Sequence, residues 1–411
     1  MSDSESTFNI GLLGHGTVGA AFAALVDQRA GDIERITGKR PRISGVLTRS
    51  RGDAAQIVGD ADLIVEVMGG LDPARELVLA ALRAGTPVVS ANKQLISRYG
   101  PELWEAAEQG GTQLRFEAAV AGVVPVIRVL AESLAGAHIE RIHGIVNGTT
   151  NFILTQMAAT GASYGEALAQ AQELGYAESD PTEDVAGLDA AAKMAILARL
   201  AFGAWVHIDD VVCEGIEHLT AADMAFAQEF GLGLKLLGTA ERVGDGLSVR
   251  VHPAFLYAGH PLASVSGPFN AVTIESPAIT EITLSGPGAG GPQTASAVLG
   301  DVVSIMTGER PMPAAGEPLA IESDVQSAFY LHLEVADRPG VLAQVAERLG
   351  IQGVSVKSVI QEGLGDDARL VMVTHPLPES RFFAAVEMIG ALDFMRAAPR
   401  AIRVIDEHFE A

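Results

Sequence analysis

Residues 8–13, FNIGLL, form a short apolar run that leads directly into Gly14-His15-Gly16-Thr17-Val18-Gly19 and then into AAFAALVDQRA. A strand, a G-x-G-x-x-G turn and a helix in that order leave few architectures open. Gly14 permits the tight turn, Gly16 lets the backbone approach a pyrophosphate, and Gly19 lets helix and strand pack closely, with phosphate at the helix N-terminus. A turn that merely needs glycines is the bland reading. At a first strand, the motif favours an α/β nucleotide-binding domain of the doubly wound Rossmann type, with Gly14, Gly16, Thr17, Val18 and Gly19 against the cofactor.

The following segments alternate as such a domain requires. A second strand over 41–47 ends in Thr48-Arg49-Ser50-Arg51, where an NAD-specific site would carry an acidic residue for the ribose hydroxyls. Arg49 there favours a 2′-phosphate, hence NADP over NAD; a solvated loop charge is the alternative. Strands at 63–68 and 87–90 flank a helix at 73–84. Parallel right-handed crossovers then place Gly69, Ser90 and Lys93 at the carboxyl edge of the sheet, where ligands bind. Lys93 is a candidate charge facing cofactor and substrate, against the alternative of a surface lysine.

The stretch 175–200, GYAESDPTEDVAGLDAAAKMAILARL, sets five carboxylates and one lysine against an otherwise apolar helix. Asp180-Pro181-Thr182-Glu183 reads as an N-cap, a proline at the first helical position and a capping-box Glu. Gly187 interrupts that turn, and 188–202 is apolar on nearly every side, as in a buried helix. Asp189 precedes Lys193 by four residues, so the two share a face. An exposed ion pair there would contribute only about 0 to 1 kcal/mol. Ala186, Ala190, Ile196 and Leu197 flank the pair and argue for an interior lysine, whose proton affinity burial lowers and a carboxylate raises.

From about residue 136 the pattern becomes α+β. A strand at 139–146 leads to the loop Asn147-Gly148-Thr149-Thr150-Asn151, which offers hydroxyls and backbone donors to a polar ligand. Helices up to about Leu237 precede strands at 247–251, 271–275 and 279–284. The glycine-rich loop 285–291, with Gly288 at its centre, allows close approach of a ligand before a helix that returns to the first domain. These boundaries predict a nucleotide-binding domain at 1–135 plus 291–310 and a catalytic, oligomerising domain at 136–290. The Pro-rich stretch 308–323 reads as irregular, with a linker at 311–323. A third domain, 324–411, has the ferredoxin-like βαββαβ order.

Composition excludes several classes of function. Across 411 residues, 28 Lys and Arg face 51 Asp and Glu, a net charge of −23, which argues against nucleic acid or an anionic membrane as partner. The single cysteine, Cys213 in VVCEG, fits a buried structural thiol and a reducing cytoplasm. The polar, acidic residues 1–11 lack the features of a signal peptide.

The chain resembles the monofunctional homoserine dehydrogenases with a C-terminal ACT domain over essentially its whole length. The resemblance is carried by GLLGHGTVG, SANKQLI, FEAAVAGVVPVI, NGTTNFIL, GYAESDPTEDVAGLDAAAKMAILA, VHPAFL, HPLASVSGPFNAV, GPGAGGPQTASAVLGD and VADRPGVL. It implies NAD(P)-dependent interconversion of L-homoserine and L-aspartate 4-semialdehyde, on the pathway to threonine, methionine and isoleucine. It further implies Lys193 as the acid–base residue, Lys93 on cofactor and substrate, and Glu178 on the homoserine amine. Asp184 and Asp189 would orient substrate, water and lysine, and Asn147, Gly148 and Thr149 would lie against substrate. A monovalent-cation loop, Na+ or K+, would be formed by Glu117, Val120, Gly122 and Val124, largely through backbone carbonyls. An ACT domain implies L-threonine as effector or a role in assembling a homodimer or homotetramer.

Residue reading and resemblance agree on the chemistry. Oxidising a primary alcohol removes a hydride from carbon and a proton from oxygen, so nicotinamide and base must flank the substrate. Which lysine carries the proton stays open. Aspartate-semialdehyde dehydrogenase requires a cysteine nucleophile, for which Cys213 lacks a suitable loop or base. A nonenzymatic sensor of nucleotide and amino acid is the alternative from another class; it predicts loss of the proton-transfer residues, and all of them are present.

Overall fold

The computed structural model describes residues 7–309, 311–312, 319–364 and 367–405. The first domain runs β1 (Thr7–Leu13), α1 (Thr17–Thr37), β2 (Arg40–Leu47), α2 (Ala54–Asp60), β3 (Leu63–Glu66), α3 (Ala74–Arg83), β4 (Val88–Ser90), α4 (Lys93–Gln109) and β5 (Leu114–Arg115). Its five strands form a parallel sheet ordered β2-β1-β3-β4-β5. Strand order reverses between β1 and β3, which opens the ligand crevice above their carboxyl ends. Phe22, Val26 and Ile33 of α1 bury against one face. Val78, Leu82 and Leu103 of α3 and α4 belong to the main core, which Ala190, Met194 and Leu197 further along the chain share.

A short helix, α5 (Val126–Arg128), leads to β6 (Arg141–Ile145), α6 (Gly148–Thr160), α7 (Tyr164–Glu173), α8 (Thr182–Val185) and α9 (Leu188–Phe202). Then come β7 (Val212–Cys213), α10 (Ala221–Glu229), β8 (Leu232–Val243), β9 (Gly246–Tyr257), β10 (Phe269–Ser276) and β11 (Thr280–Pro287). Helix α11 (Gly291–Met306) returns to the first domain, where Ala295, Val298 and Val302 join the α1 side of its core. Four antiparallel pairings order this second sheet β11-β10-β6-β8-β9.

The C-terminal unit is β12 (Gln326–Ala336), α12 (Val341–Ile351), β13 (Val356–Leu364), β14 (Asp367–Thr374), β15 (Leu377–Pro378), α13 (Glu379–Gly390) and β16 (Arg400–Ile405). The predicted βαββαβ order is present, with the short β15 added beside β12. This unit is not a detached lobe. Strand β16 pairs in parallel with β9, Arg403 opposite Ala254, so one 11-stranded sheet runs through both units.

Several expectations need correction. Asn147 is the N-cap of α6, and 148–151 are its first turn, so NGTTN is a capped helix start rather than a loop. Helix does not extend to Leu237: α10 ends at Glu229, and Gly231, at φ 65°, turns the chain into the long strand β8. A Cβ on Gly238 of β8 would stand 2.3 Å from Met194 of α9, so the strand packs directly on that helix. Residues 285–287 belong to β11, which leaves 288–290 as the turn before α11. Helix α8 begins one residue later than the sequence suggests, with Pro181 as N-cap; Asp180 accepts from Thr182, and Glu183 accepts Gln94 Nε2 at 3.1 Å instead of closing a capping box. Part of the linker lies outside the described residues. Its end does take regular pairing: Leu247 N–H donates to Ala320 and Glu322 N–H to Leu247.

Candidate active site

The glycine turn is built as its sequence requires. Gly14 takes φ 105°, and a Cβ there would sit 2.7 Å from the Val67 carbonyl oxygen. A Cβ on Gly19 would meet the Gly14 carbonyl at 2.2 Å, whereas the space beside Gly16, N-cap of α1, is open. Two glycines thus serve packing, and the third leaves room at a helix N-terminus, where an anion is favoured. His15 and Thr17 are exposed beside it, and Val18 is half-buried.

Below this turn, Val18, Gly69, Lys93, Lys193 and Gly288 line one cleft of about 320 Å³. Gly288 has no room for a side chain, since a Cβ would lie 2.3 Å from Asn270. The open Gly16 edge, the helix terminus and this cleft fit a dinucleotide.

Ser90 plays a different part from the one expected. It is fully buried; its hydroxyl donates to Glu66 at 2.6 Å and accepts the Asn92 N–H at 3.1 Å. Glu66, which the sequence reading missed, also accepts the Met68 N–H at 2.8 Å, and burial pushes its pKa up. Asn92 Nδ2 donates to the Gly70 carbonyl at 2.6 Å while Asn92 Oδ1 caps α4 at Leu95. These bonds shape the 67–70 loop and start α4 at Lys93.

Lys93 and Lys193 converge on one carboxylate. Lys93 Nζ binds Asp189 Oδ1. Lys193 Nζ donates to Asp189 Oδ2 at 2.7 Å and to the Val146 carbonyl at 2.6 Å. Asn147 Nδ2 reaches Asp184 at 2.6 Å and Asp189 at 2.8 Å. Burial alone would raise the Asp189 pKa, but the ammonium groups of Lys193 and Lys93 hold it well below the usual carboxylate range. Burial opposes the charge on Lys93, yet Asp189, Asp184 and Glu183 together raise its pKa. Asp184 is pushed up, first by burial and then by Asp189, with the Asn147 hydrogen bond opposing. Asn147 was expected to offer loop donors to a ligand; its amide instead joins the two aspartates.

The remaining candidates are dispersed. Thr149 Oγ1 donates to the Tyr176 carbonyl at 2.6 Å, which ties α6 to the 175–180 segment. Gly148 sits against Pro268. Glu178 is exposed; its carbonyl accepts from Gln172. Arg49 is exposed in the turn closed by Thr48 N–H to the Arg51 carbonyl. In the expected cation loop, Glu117 accepts the N–H groups of Ile127 and Arg128 at 3.0 and 2.9 Å. Burial and the neighbouring Asp301 raise its pKa to about 7. Ala121 and Gly122 bend the loop at φ 56° and 64°, and the Val124 carbonyl accepts Val126 N–H. No helix among the described residues is long and apolar enough to cross a membrane.

Known proteins match both halves of this site. The homoserine dehydrogenase family model matches residues 125–303, and that of the homoserine dehydrogenase NAD-binding domain matches 14–117. Homoserine dehydrogenase of Corynebacterium glutamicum is 43% identical, with 97% of this chain and 96% of that protein covered. The Mycobacterium tuberculosis enzyme is 41% identical, with 98% and 99% covered. A solved homoserine dehydrogenase from Thiobacillus denitrificans superposes with a TM-score of 0.91 at 36% identity, over 98% of this chain and 99% of that one. A hyperthermophilic archaeal homoserine dehydrogenase in complex with NADPH matches at a TM-score of 0.66 and 28% identity, over 75% of this chain and 100% of that one. A glycine turn at a helix N-terminus, a cleft ending at two lysines, and near-complete alignment to named relatives lead to one conclusion: the chain belongs to the homoserine dehydrogenase family of NAD(P)-dependent oxidoreductases.

Proposed function

We propose a division of labour for the homoserine dehydrogenase reaction, the oxidation of L-homoserine to L-aspartate 4-semialdehyde and its reverse, on the route to threonine, methionine and isoleucine. The observation that carries it is the pair of lysines, one from each domain, on the two oxygens of Asp189.

NAD(P) is held at its pyrophosphate by the Gly14–Gly19 turn and along the cleft by Gly69 and Gly288; when bound, it accepts the hydride. In its neutral amine form Lys193 takes the hydroxyl proton from homoserine, and as the ammonium it returns that proton in the reverse direction. Lys93, whose proton affinity the surrounding carboxylates raise, stays an ammonium group that polarises the aldehyde oxygen. Asp189 holds both lysines in register, and Asn147 fixes Asp184 beside them. Glu178 receives the substrate amine on a segment that Thr149 anchors to the start of α6.

Arg49, at the end of β2 with no acidic residue in the same turn, supports preference for NADP. A monovalent cation on the carbonyls of Val120, Gly122 and Val124 would offset the cost of burying Glu117 and Asp301, whose pKa values stand at about 7 and about 6. The βαββαβ order of the C-terminal unit supports its reading as an ACT domain responsive to L-threonine. Exposed apolar side chains there, among them Ile351, Val359 and Phe383, suit a homodimer or homotetramer. The single cysteine fits a cytoplasmic enzyme.

The test is homoserine-dependent reduction of NADP and NAD in Lys193→Ala and Lys93→Ala. Lys193→Ala should lose roughly 10²–10⁴ in kcat without recovery at alkaline pH. Lys93→Ala should also lower kcat, by about tenfold or more, because it loses the group that polarises the aldehyde oxygen. Parental turnover in Lys193→Ala would move the base to Lys93 or to water.

A further inference from the structure

Glu66 ends β3 directly behind the wall of the cofactor cleft. It is fully buried, and Val67, Met68 and Gly69, which follow it, line that cleft. Across the β3–β4 ladder it pairs with Ser90, which in turn precedes the lining residues Ala91, Asn92 and Lys93. A single hydrogen bond, from Met68 N–H at 2.8 Å, links its carboxylate to the lining.

The partners of Glu66 mark it as an anion. Burial raises its pKa, and the Ser90 hydroxyl, the Met68 N–H, the Asn92 amide and the Gly69 N–H all oppose that rise. Ser90 gives its proton to Oε2 at 2.6 Å and accepts the Asn92 N–H at 3.1 Å. Were Glu66 instead to donate a proton to Ser90, both lone pairs of that hydroxyl would be taken, and its own proton would have no acceptor among the described residues. The four groups that bond Glu66 are dipoles rather than cations. A buried anion held by dipoles alone is costly, and such groups concentrate where a charge has a use.

The homoserine dehydrogenase reaction supplies that use. Hydride and hydroxyl proton leave one carbon and its own oxygen, so the nicotinamide ring must reach the group that the lysines hold. That ring is neutral when reduced and carries one positive charge when oxidised. The lysine end of the cleft offers little to a cation, because Lys93 and Lys193 share Asp189, and Asp184 is bonded to Asn147.

We propose that Glu66 is the fixed counter-charge of the oxidised nicotinamide, so that the cleft holds the cationic form of the nucleotide more tightly than a neutral wall would. The proposal rests on the reading of this cleft as the place of hydride transfer. In aldehyde reduction the carbonyl carbon receives the hydride and the Lys193 ammonium protonates the oxygen, so the positive charge lost from the lysine reappears on the ring. The anion of Glu66 is uncompensated before that step and paired after it. This favours reduction of the semialdehyde on the enzyme and opposes the reverse, and burial keeps salt from screening the effect.

Equilibrium binding of NADP+, NADPH, NAD+ and NADH to the parent and to Glu66→Gln, measured by calorimetry without substrate, tests this. In Glu66→Gln the oxidised form should loosen about tenfold or more relative to the reduced form. Glu66→Asp, which keeps the charge, should hold the parental ratio even where it loosens both forms; a ratio that follows Glu66→Gln overturns the proposal. Equal weakening of both forms in Glu66→Gln, or no change in either, also overturns it: the residue is then a strut for the 67–70 loop, and the reading of the cleft stands. If the parent binds none of the four nucleotides, that reading falls as well. If Glu66→Gln does not fold, the parent decides. An oxidised form bound within about threefold of the reduced form, or tighter, supports the counter-charge, and any stronger preference for the reduced form overturns it.

Discussion

The guanidinium of Arg199 lies 3.7 Å from the ring centroid of Trp104 and 5.0 Å from that of Trp205. Arg199 belongs to α9, which also carries Asp189 and Lys193; Trp104 belongs to α4, which starts at Lys93. The two helices are thus joined twice, by an ion pair at their N-termini and by a cation–π stack about three turns further along each. Burial lowers the Arg199 pKa to about 10, which still leaves it charged at neutral pH.

Arg199→Lys should therefore destabilise the protein by about 1–2 kcal/mol, since an ammonium cannot stack as a planar guanidinium does. Both tryptophans of the chain lie in this stack. Thermal melting followed by intrinsic fluorescence checks the prediction, with a change in native emission expected alongside the lower Tm.

Asp189→Asn should lower kcat by roughly 10²–10⁴, because both lysines lose their shared counter-charge. Burial then dominates at Lys93, so the pH profile of kcat/KM should move to lower pH. In the parent, the Asp189 pKa is depressed on folding. Its contribution to stability is present above the ordinary carboxylate value, near 4, and is lost as pH falls through the depressed one.

Lys235, in β8, donates to the Val265 carbonyl at 2.5 Å and to Asn151 at 3.3 Å, and burial lowers its pKa to about 8. The unfolded chain therefore holds this proton more tightly. The cost of burying the charge is fully present below pH ~8 and is relieved as pH rises toward ~10.4. Relative to Lys235→Met, the parent should gain stability over that interval, as urea melts at pH 8 and pH 10 would register.

Arg49→Asp should shift the ratio of NADP to NAD rates toward NAD by about tenfold or more, the loss of one charge-assisted phosphate contact. Steady-state rates with each nucleotide test it. An unchanged ratio would remove Arg49 from cofactor selection.

The sequence was most legible where local pattern and tertiary demand coincide. The span of α9 was read as 188–202 and is Leu188–Phe202, since its apolar residues, Gly187 before it and Gly203 after it all point the same way. The glycine turn was legible because steric need at Gly14 and Gly19 leaves no other residue. What escaped depends on distant partners. Asn147 looked like a loop donor because nothing nearby reveals that its amide meets Asp184 and Asp189, 37 and 42 residues away. Leu232–Leu237 looked helical by composition; its spaced glycines, Gly231, Gly233 and Gly238, were the available signal. Neither Glu66 under the 67–70 loop nor Arg199 between two indoles had any local mark.

The parallel pairing of β16 with β9 also bears on how the molecule is made. A ribosome delivers β9 long before β16, so the second sheet must wait with the Ala254–Leu256 edge of β9 unpaired, beyond the part that β7 covers, while the whole C-terminal unit is synthesised. Such distant parallel contacts form slowly, and bare strand flanks invite association with other chains. The nascent enzyme is thus most vulnerable to aggregation in the interval between those two strands, and it is there that a chaperone would do most for its yield.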